Sequence, residues 1–168
     1  MFGPVPILNH AAGCNASPLS FSERNDFMAE FVAPFVQQIS AGQNVLFTNE
    51  PVKCNNGSIS WRDGSGIVTL RGNTSQCRAL YKIIYGGNIA IPTGGTVGPI
   101  SIAISVEGEP LVSSTATVTP AAVGDEFNVF AVAMVSVPRG CCVTVSVKNI
   151  NTQTIEAQNS NLVIERVC

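Results

Sequence analysis

Charged residues are scarce in this sequence. Asp, Glu, Lys and Arg make up only 12% of its 168 residues, whereas an ordinary soluble domain carries about 25%. The formal net charge is −2 and the nine basic residues are scattered, which argues against nucleic acid as a partner. Because 45% of the residues are hydrophobic, we expect much of the surface to be buried against other subunits, where few ions have to be desolvated.

Long apolar runs and a typical secretion signal are also missing. No run approaches the roughly eighteen apolar residues that a membrane-spanning helix needs. The first residues, "MFGPVPILNHAAGC", have no Lys or Arg before their apolar stretch and contain Pro4 and Pro6, which is not typical of a signal peptide. We therefore expect no membrane partner, and we expect synthesis in a cytoplasm.

The sequence has a single histidine, His10, and none of its six cysteines forms a CxxC pair. A nucleophilic triad needs a histidine or an equivalent base, and zinc sites need regularly spaced Cys and His ligands. We therefore predict no catalytic residue, no metal site and no cofactor, so that the protein is not an enzyme. Turn chemistry explains the acidic residues at predicted turns, which are Asp63, Glu107, Glu109, Asp125 and Glu126.

The cysteines lie at positions that leave their disulfide state open. A disulfide framework is not favoured in a chain without a signal peptide. The adjacent pair Cys141 and Cys142 falls in an apolar strand pattern, which favours small hydrophobic residues. In an oxidising exterior, we favour a pair between Cys54 and Cys77. The other cysteines are Cys14 and Cys168.

The first part of the chain differs in pattern from the rest. Residues 1 to about 20 are rich in Pro and Gly, which indicates an irregular arm. In "FSERNDFMAEFVAPFVQQI" Ser22 is a candidate helix cap, and Phe27 and Phe31 lie one helical turn apart. We predict a short helix that ends at Pro34; the alternative is a strand from about Phe31 through residue 39. The predicted division is an arm with a short helix over 1–38 and a β-domain over 39–168.

Beyond residue 39 the hydrophobic pattern has a period of two. "SGIVTLRG", "CRALYKIIYGGNIAI" and "NLVIERVC" each alternate in this way, and turns are expected at Gly108 and at Pro138-Arg139-Gly140. Strands and turns recur about every eight to twelve residues, which is typical of an antiparallel β-sandwich. The sequence therefore predicts an all-β fold.

One predicted strand, "FNVFAVAMVSV", is apolar on both faces. An antiparallel sandwich normally has one face on the core and one in water, so this strand has to be covered twice. We expect a neighbouring subunit to cover the second face, and we expect the same for "YKIIYGGNIAI". One face of the first strand carries Val129, Ala131, Ala133, Val135 and Val137; the other carries Asn128, Phe130, Val132, Met134 and Ser136.

Four segments together resemble a known superfamily. "RALYKIIYGGNIAI", "GPISIAISVEGEPL", "VPRGCCVTVSVKN" and "NLVIERV" are similar, in this order, to strands of the tumour necrosis factor and complement globular-head superfamily. The resemblance covers most of residues 40–168 and implies a trimeric antiparallel jelly roll. More narrowly, the chain resembles short jelly-roll proteins encoded by gut Firmicutes and their phages. It departs from the collagen-tailed members because it has no Gly-X-Y repeat.

The resemblance and the doubly apolar strands suggest a role in a phage particle. We expect a homotrimeric virion protein that decorates or cements a capsid or forms a head fibre, with the major capsid protein as its partner. The expected trimer interface comprises Tyr81, Tyr85, Phe130, Val132 and Met134. The expected capsid-anchoring residues are Phe2, Pro4, Ile7, Phe21 and Phe27.

The alternative is a bacterial surface or spore-coat jelly roll. Such a module would bind a host glycan or a protein receptor through loops 55–65 and 92–99. Trp61, beside Arg62 and Asp63, is the candidate platform for a sugar, although a tryptophan packed at the rim of the sandwich is the commoner case.

Overall fold

The computed structural model describes residues 27–168, and these residues form two six-stranded antiparallel sheets. The second sheet also leads into a single turn of 3-10 helix at Val112–Ser114. The strands are β1 (Met28–Ala33), β2 (Gln37–Ile39), β3 (Asn49–Val52), β4 (Ile59–Trp61), β5 (Ile67–Arg71), β6 (Arg78–Ala90), β7 (Ile100–Val106), β8 (Glu109–Pro110), β9 (Ala116–Val118), β10 (Phe127–Pro138), β11 (Cys142–Asn149) and β12 (Ile155–Arg166).

The first sheet has the strand order β10-β6-β12-β1-β3, and β2 pairs with β12. Its longest pairing joins β10 to β6 without a break, from Phe127 opposite Ile89 to Pro138 opposite Arg78. The second sheet has the order β4-β5-β11-β7-β8, and β9 pairs with β7. Both sheets join strands that are distant in sequence, as expected of the predicted jelly roll.

The inner faces of the two sheets share one hydrophobic core. In β6, the alternate residues Tyr81, Ile83 and Tyr85 are fully buried, and Ile102 and Ile104 of β7 are fully buried in the other sheet. This period of two is the pattern that the sequence shows, because successive strand side chains point to opposite faces. Three aromatic rings pack together in part of the core. The centre of the Phe31 ring lies 5.5 Å from the centre of the Trp61 ring and 6.3 Å from the centre of the Phe47 ring.

The turns predicted from the sequence are formed. Between β7 and β8, Glu107 and Gly108 both have positive φ, 53° and 84°, which suits a two-residue hairpin turn. The Glu107 carboxylate accepts hydrogen bonds from the Thr144 backbone N–H and hydroxyl. The turn after β10 has Gly140 at φ 76°, where a residue with a side chain would be strained.

The predicted helix is replaced by a strand over Met28–Ala33. β1 pairs with both β12 and β3, and Ala29, Phe31 and Ala33 are buried while the residues between them are half-buried. The spacing of Phe27 and Phe31 suits a helix, but burial at every second residue favours the sheet. The first sheet therefore already includes Met28–Ala33, which lie within the arm predicted over residues 1–38; residues 1–26 of that arm lie outside the described residues.

Candidate interaction surface

The outer face of β10 carries the largest group of exposed apolar side chains in one strand. Phe130, Met134 and Val132 are 61%, 51% and 38% exposed, and we call these three residues the outer patch. The side chains between them face inward and are almost fully buried. The strand is thus apolar on both faces, as the sequence predicts, but the described chain covers only one of them.

The outer patch lies at an edge of the first sheet. β10 has β6 as its only strand neighbour in the first sheet's strand order, so one side of its backbone has no ladder within the described chain. Across β6, Val132 lies opposite Ile84, and Ile84 in turn lies opposite Val163 of β12. Both neighbours are half-buried, so the apolar surface continues toward the middle of the sheet at Val132, whereas Met134 lies opposite Lys82.

Polar pairs bound the outer patch at its two ends. At one end the Asn128 Nδ2 group donates to Asn88 Oδ1 at 3.1 Å, and at the other the Arg78 guanidinium lies 3.4 Å from the Ser136 hydroxyl. An apolar centre with a polar rim is the usual composition of a protein–protein interface. The geometry therefore suits contact with another protein surface.

Two of the expected interface residues lie elsewhere. Tyr81 and Tyr85 are fully buried inside the protomer. The Tyr81 hydroxyl donates to the Arg71 carbonyl at 2.6 Å, and the Tyr85 hydroxyl lies 3.0 Å from that of Ser160. Their side chains have no surface to offer another subunit, and we leave them out of the interface.

Burial changes the acidity of these tyrosines. Desolvation raises the pKa of Tyr85 to about 12, and the hydrogen bond with Ser160 offsets only a part of that effect. Desolvation also raises the pKa of Tyr81, against the opposing influence of its hydrogen bonds and of Arg166. Both hydroxyls stay neutral at physiological pH and serve the fold.

Of the expected capsid-anchoring residues, only Phe27 is described. It is 48% exposed, and the Arg166 guanidinium lies 5.8 Å from the centre of its ring, within the range of a cation–π contact. The remaining four, Phe2, Pro4, Ile7 and Phe21, lie outside the described residues.

A second candidate surface is an open cleft at the end of the sandwich opposite Phe27, where β6 leads into β7. Loop 92–96 forms one wall, and Gln38, Gln153 and Thr154 form the other, around a volume of about 410 Å³. The loop was expected as part of a binding surface, but Gln153, which holds it, is distant in sequence and was missed.

The Trp61 loop offers less than the sequence suggested. The indole N–H donates to the Ser65 carbonyl at 2.7 Å, and the ring packs against Phe31. Trp61 is thus a core and rim residue, although it lines a shallow groove with Arg62 and Thr69. A further exposed apolar group that sequence reasoning missed comprises Phe35, Val36 and Leu46.

Within residues 27–168, no disulfide joins one cysteine to another. Cys54 is buried and lies 3.1 Å from Asn56 Oδ1 and 3.4 Å from the Ser58 hydroxyl; no disulfide joins it to Cys77. The four exposed cysteines are Cys77, Cys141, Cys142 and Cys168.

Over residues 27–168, no group of three His, Cys, Asp or Glu side chains is arranged to hold a metal ion. In the same range, no helix is long and apolar enough to cross a membrane.

Comparison with solved structures defines the class of the fold. The globular domain of the zebrafish complement 1qA protein matches with a TM-score of 0.56 at 11% identity, over 83% of this chain and 94% of that domain. Eiger TNF from S. frugiperda matches with a TM-score of 0.63 at 11% identity, over 84% of this chain and 92% of that one. Murine APRIL matches with a TM-score of 0.59 at 10% identity, over 84% of this chain and 99% of that one.

The chain therefore has a TNF/C1q-like jelly-roll fold, as the resemblance of its sequence implied. At such low identities the likeness concerns the fold alone. No protein-family model matches the sequence, and no curated protein matches it either.

Proposed function

We propose that the protein is a non-enzymatic structural protein of a bacteriophage virion. It acts as a homotrimer that decorates or cements the capsid or forms a head fibre, and the major capsid protein is its partner. The single observation that supports this role most is the outer patch on β10, because it calls for a permanent protein partner rather than a substrate.

The energetics of the outer patch favour a copy of the same chain as that partner. Fully burying a Phe, Met or Val side chain contributes about 1.5–3 kcal/mol, and an uncovered edge strand with apolar side chains is an aggregation hazard. The resemblance to trimeric jelly rolls supports three copies around an axis. Phe130, Val132 and Met134 are the proposed contact residues.

The arm gives the trimer a means of attachment. The described chain starts at Phe27, and twenty extended residues span up to about 70 Å, which is enough to reach a neighbouring protein. The sequence of residues 1–22 has no charged side chain, so an arm of this composition can bind an apolar groove of the capsid. The proposed anchoring residues are Phe2, Pro4, Ile7, Phe21 and Phe27.

Deletion of residues 1–26 tests the anchoring role. We expect the shortened protein to stay a soluble trimer and to lose its binding to purified phage particles, whereas the full chain sediments with them. A shortened protein that still coats the particles would show that the arm is not the anchor.

A second candidate function is a bacterial surface or spore-coat module, and the open cleft at loop 92–96 favours it. Fractionation of cells that carry the gene distinguishes the two. After prophage induction, the virion role places peptides of this chain in density-banded phage particles. After sporulation, the alternative places them in the spore coat and leaves the phage fraction empty.

A further inference from the structure

The cleft at loop 92–96 has the composition of a binding site for a neutral ligand. Its lining provides three threonine hydroxyls, two glutamine amides and glycine backbone, and it contains no Asp, Glu, Lys or Arg. A virion protein needs no such cleft for assembly, so a ligand bound there would go beyond the proposed structural role.

The cleft is held in shape before any ligand binds. The Gln153 side chain forms two hydrogen bonds with the backbone of Thr96: its Oε1 accepts from the N–H at 3.0 Å, and its Nε2 donates to the carbonyl at 3.0 Å. Gly95 lies close against Ile91, the residue that follows β6, since an added Cβ would come within 2.5 Å of Ile91 Cγ2. A preorganised wall lowers the ordering cost of binding.

The hydroxyls on the two walls are available to a ligand. The side chains of Thr93, Thr96 and Thr154 line the cleft, and none of them forms a hydrogen bond to another group within residues 27–168. Each hydroxyl can both donate and accept. Unpaired groups of this kind, on opposite walls, match a ligand that carries several hydroxyls of its own.

The charges around the cleft disfavour an anion. The Gln38 Nε2 group lies 3.4 Å from Glu156 Oε1, which places a carboxylate behind one wall. No basic side chain lines the cleft to offset that negative charge. From this combination we propose that the cleft binds a neutral saccharide.

The position of the cleft suits a receptor on another surface. The start of β1 lies level with the first half of β6, because Met28 is opposite Glu165 of β12 and Glu165 is opposite Lys82 of β6. The cleft follows Ala90 at the far end of β6, about 26 Å away at roughly 3.3 Å per residue. If the arm anchors the protein, as in the proposed function, the cleft lies at the end of the sandwich away from the start of β1; the binding itself does not depend on that role.

The test uses the purified full-length chain and an array of neutral and sialylated oligosaccharides, followed by calorimetric titration with the best neutral binder. We expect binding to neutral sugars in preference to sialylated ones. The double variant Thr93→Val with Thr154→Val removes one hydroxyl from each wall, and we expect its affinity to fall about tenfold or more. The matched control is Thr69→Val in the Trp61 groove, which should bind like the unchanged protein.

Three results would overturn the proposal. They are the absence of binding to any neutral oligosaccharide at millimolar concentration, unchanged affinity in the double variant, and loss of affinity in Thr69→Val instead. Thermal unfolding of each variant shows whether it is folded. Failure of the virion role would appear separately, in the particle fractions, and would leave the sugar titration unaffected.

Discussion

The hydroxyl of Tyr85 lies 3.0 Å from that of Ser160, inside the sandwich of a single protomer. Ser160 belongs to β12, just after Asn159, whose φ is 51°, where the pairing of β12 with β6 shifts register. Two buried polar groups thereby satisfy each other at an irregular point of the sheet. The contact makes Tyr85 a determinant of the fold rather than a residue of the proposed interface.

Replacement of Tyr85 by Phe should lower stability and leave the assembly intact. The change leaves the buried Ser160 hydroxyl without its partner, which costs about 1–2 kcal/mol. We expect this loss in the free energy of unfolding, measured in urea, together with an unchanged mass in solution. A variant of normal stability but altered mass would place Tyr85 at the interface after all.

Tyr85 should also make the protein sensitive to alkali. Its pKa in the folded state is raised to about 12 from 10.0. The contribution of Tyr85 to the free energy of unfolding is therefore fully present below pH 10 and is lost as the pH rises toward 12. The two pKa values correspond to a loss of about 3 kcal/mol over that range. Urea unfolding at pH 9 to 12 should show a steeper decline in the unchanged protein than in Tyr85→Phe, in which Tyr81 still titrates. Identical declines would contradict this assignment.

Gly87 should not tolerate a side chain. A Cβ there would lie 2.7 Å from the Tyr85 hydroxyl oxygen and 3.3 Å from Ser160 Cα, so Gly87→Ala should destabilise by about 1–3 kcal/mol. Gly98→Ala is the control, because a Cβ at Gly98 meets nothing within 4 Å. Equal melting temperatures for the two variants would mean that the Tyr85 hydroxyl moves aside easily.

The double variant Phe130→Lys with Met134→Lys should separate the subunits without unfolding them. Both side chains are largely exposed in the single chain, so their loss removes little packing; a lysine at position 134 lies opposite Lys82 and costs the isolated fold some cross-strand repulsion. The added charges would also have to be desolvated in a contact. We expect a folded single chain by circular dichroism and light scattering. Val112→Lys is the control, since Val112 is 88% exposed and lies outside the outer patch; it should assemble normally.

Local patterns predicted most of the fold. Alternation identified β6, β10 and β12, and glycine identified the turns at Gly108 and Gly140. The same rules were wrong for β1, because Phe27 and Phe31 are spaced for a helix while β1 is held in the sheet by pairing with β3 and β12, which are distant in sequence. Pairing of that kind leaves no signal within the segment itself.

The candidate surfaces were predicted less completely. A period of two shows which residues share a face, but it does not show which face is the inner one. Phe130 and Tyr85 both lie on apolar faces of their strands. Only the folded structure, in which the Tyr85 hydroxyl has its partner inside the sandwich, shows that Tyr85 faces the core. The cleft depends on a contact between Thr96 and Gln153, fifty-seven positions apart, which no local motif can indicate.

The mass of the purified protein in solution decides whether copies of this chain cover the outer patch. We predict that sedimentation equilibrium at micromolar concentration gives three times the 17.6 kDa of one chain and that the lysine double variant gives 17.6 kDa. A stable single chain for the unchanged protein would contradict the trimer and remove the main support for the structural role.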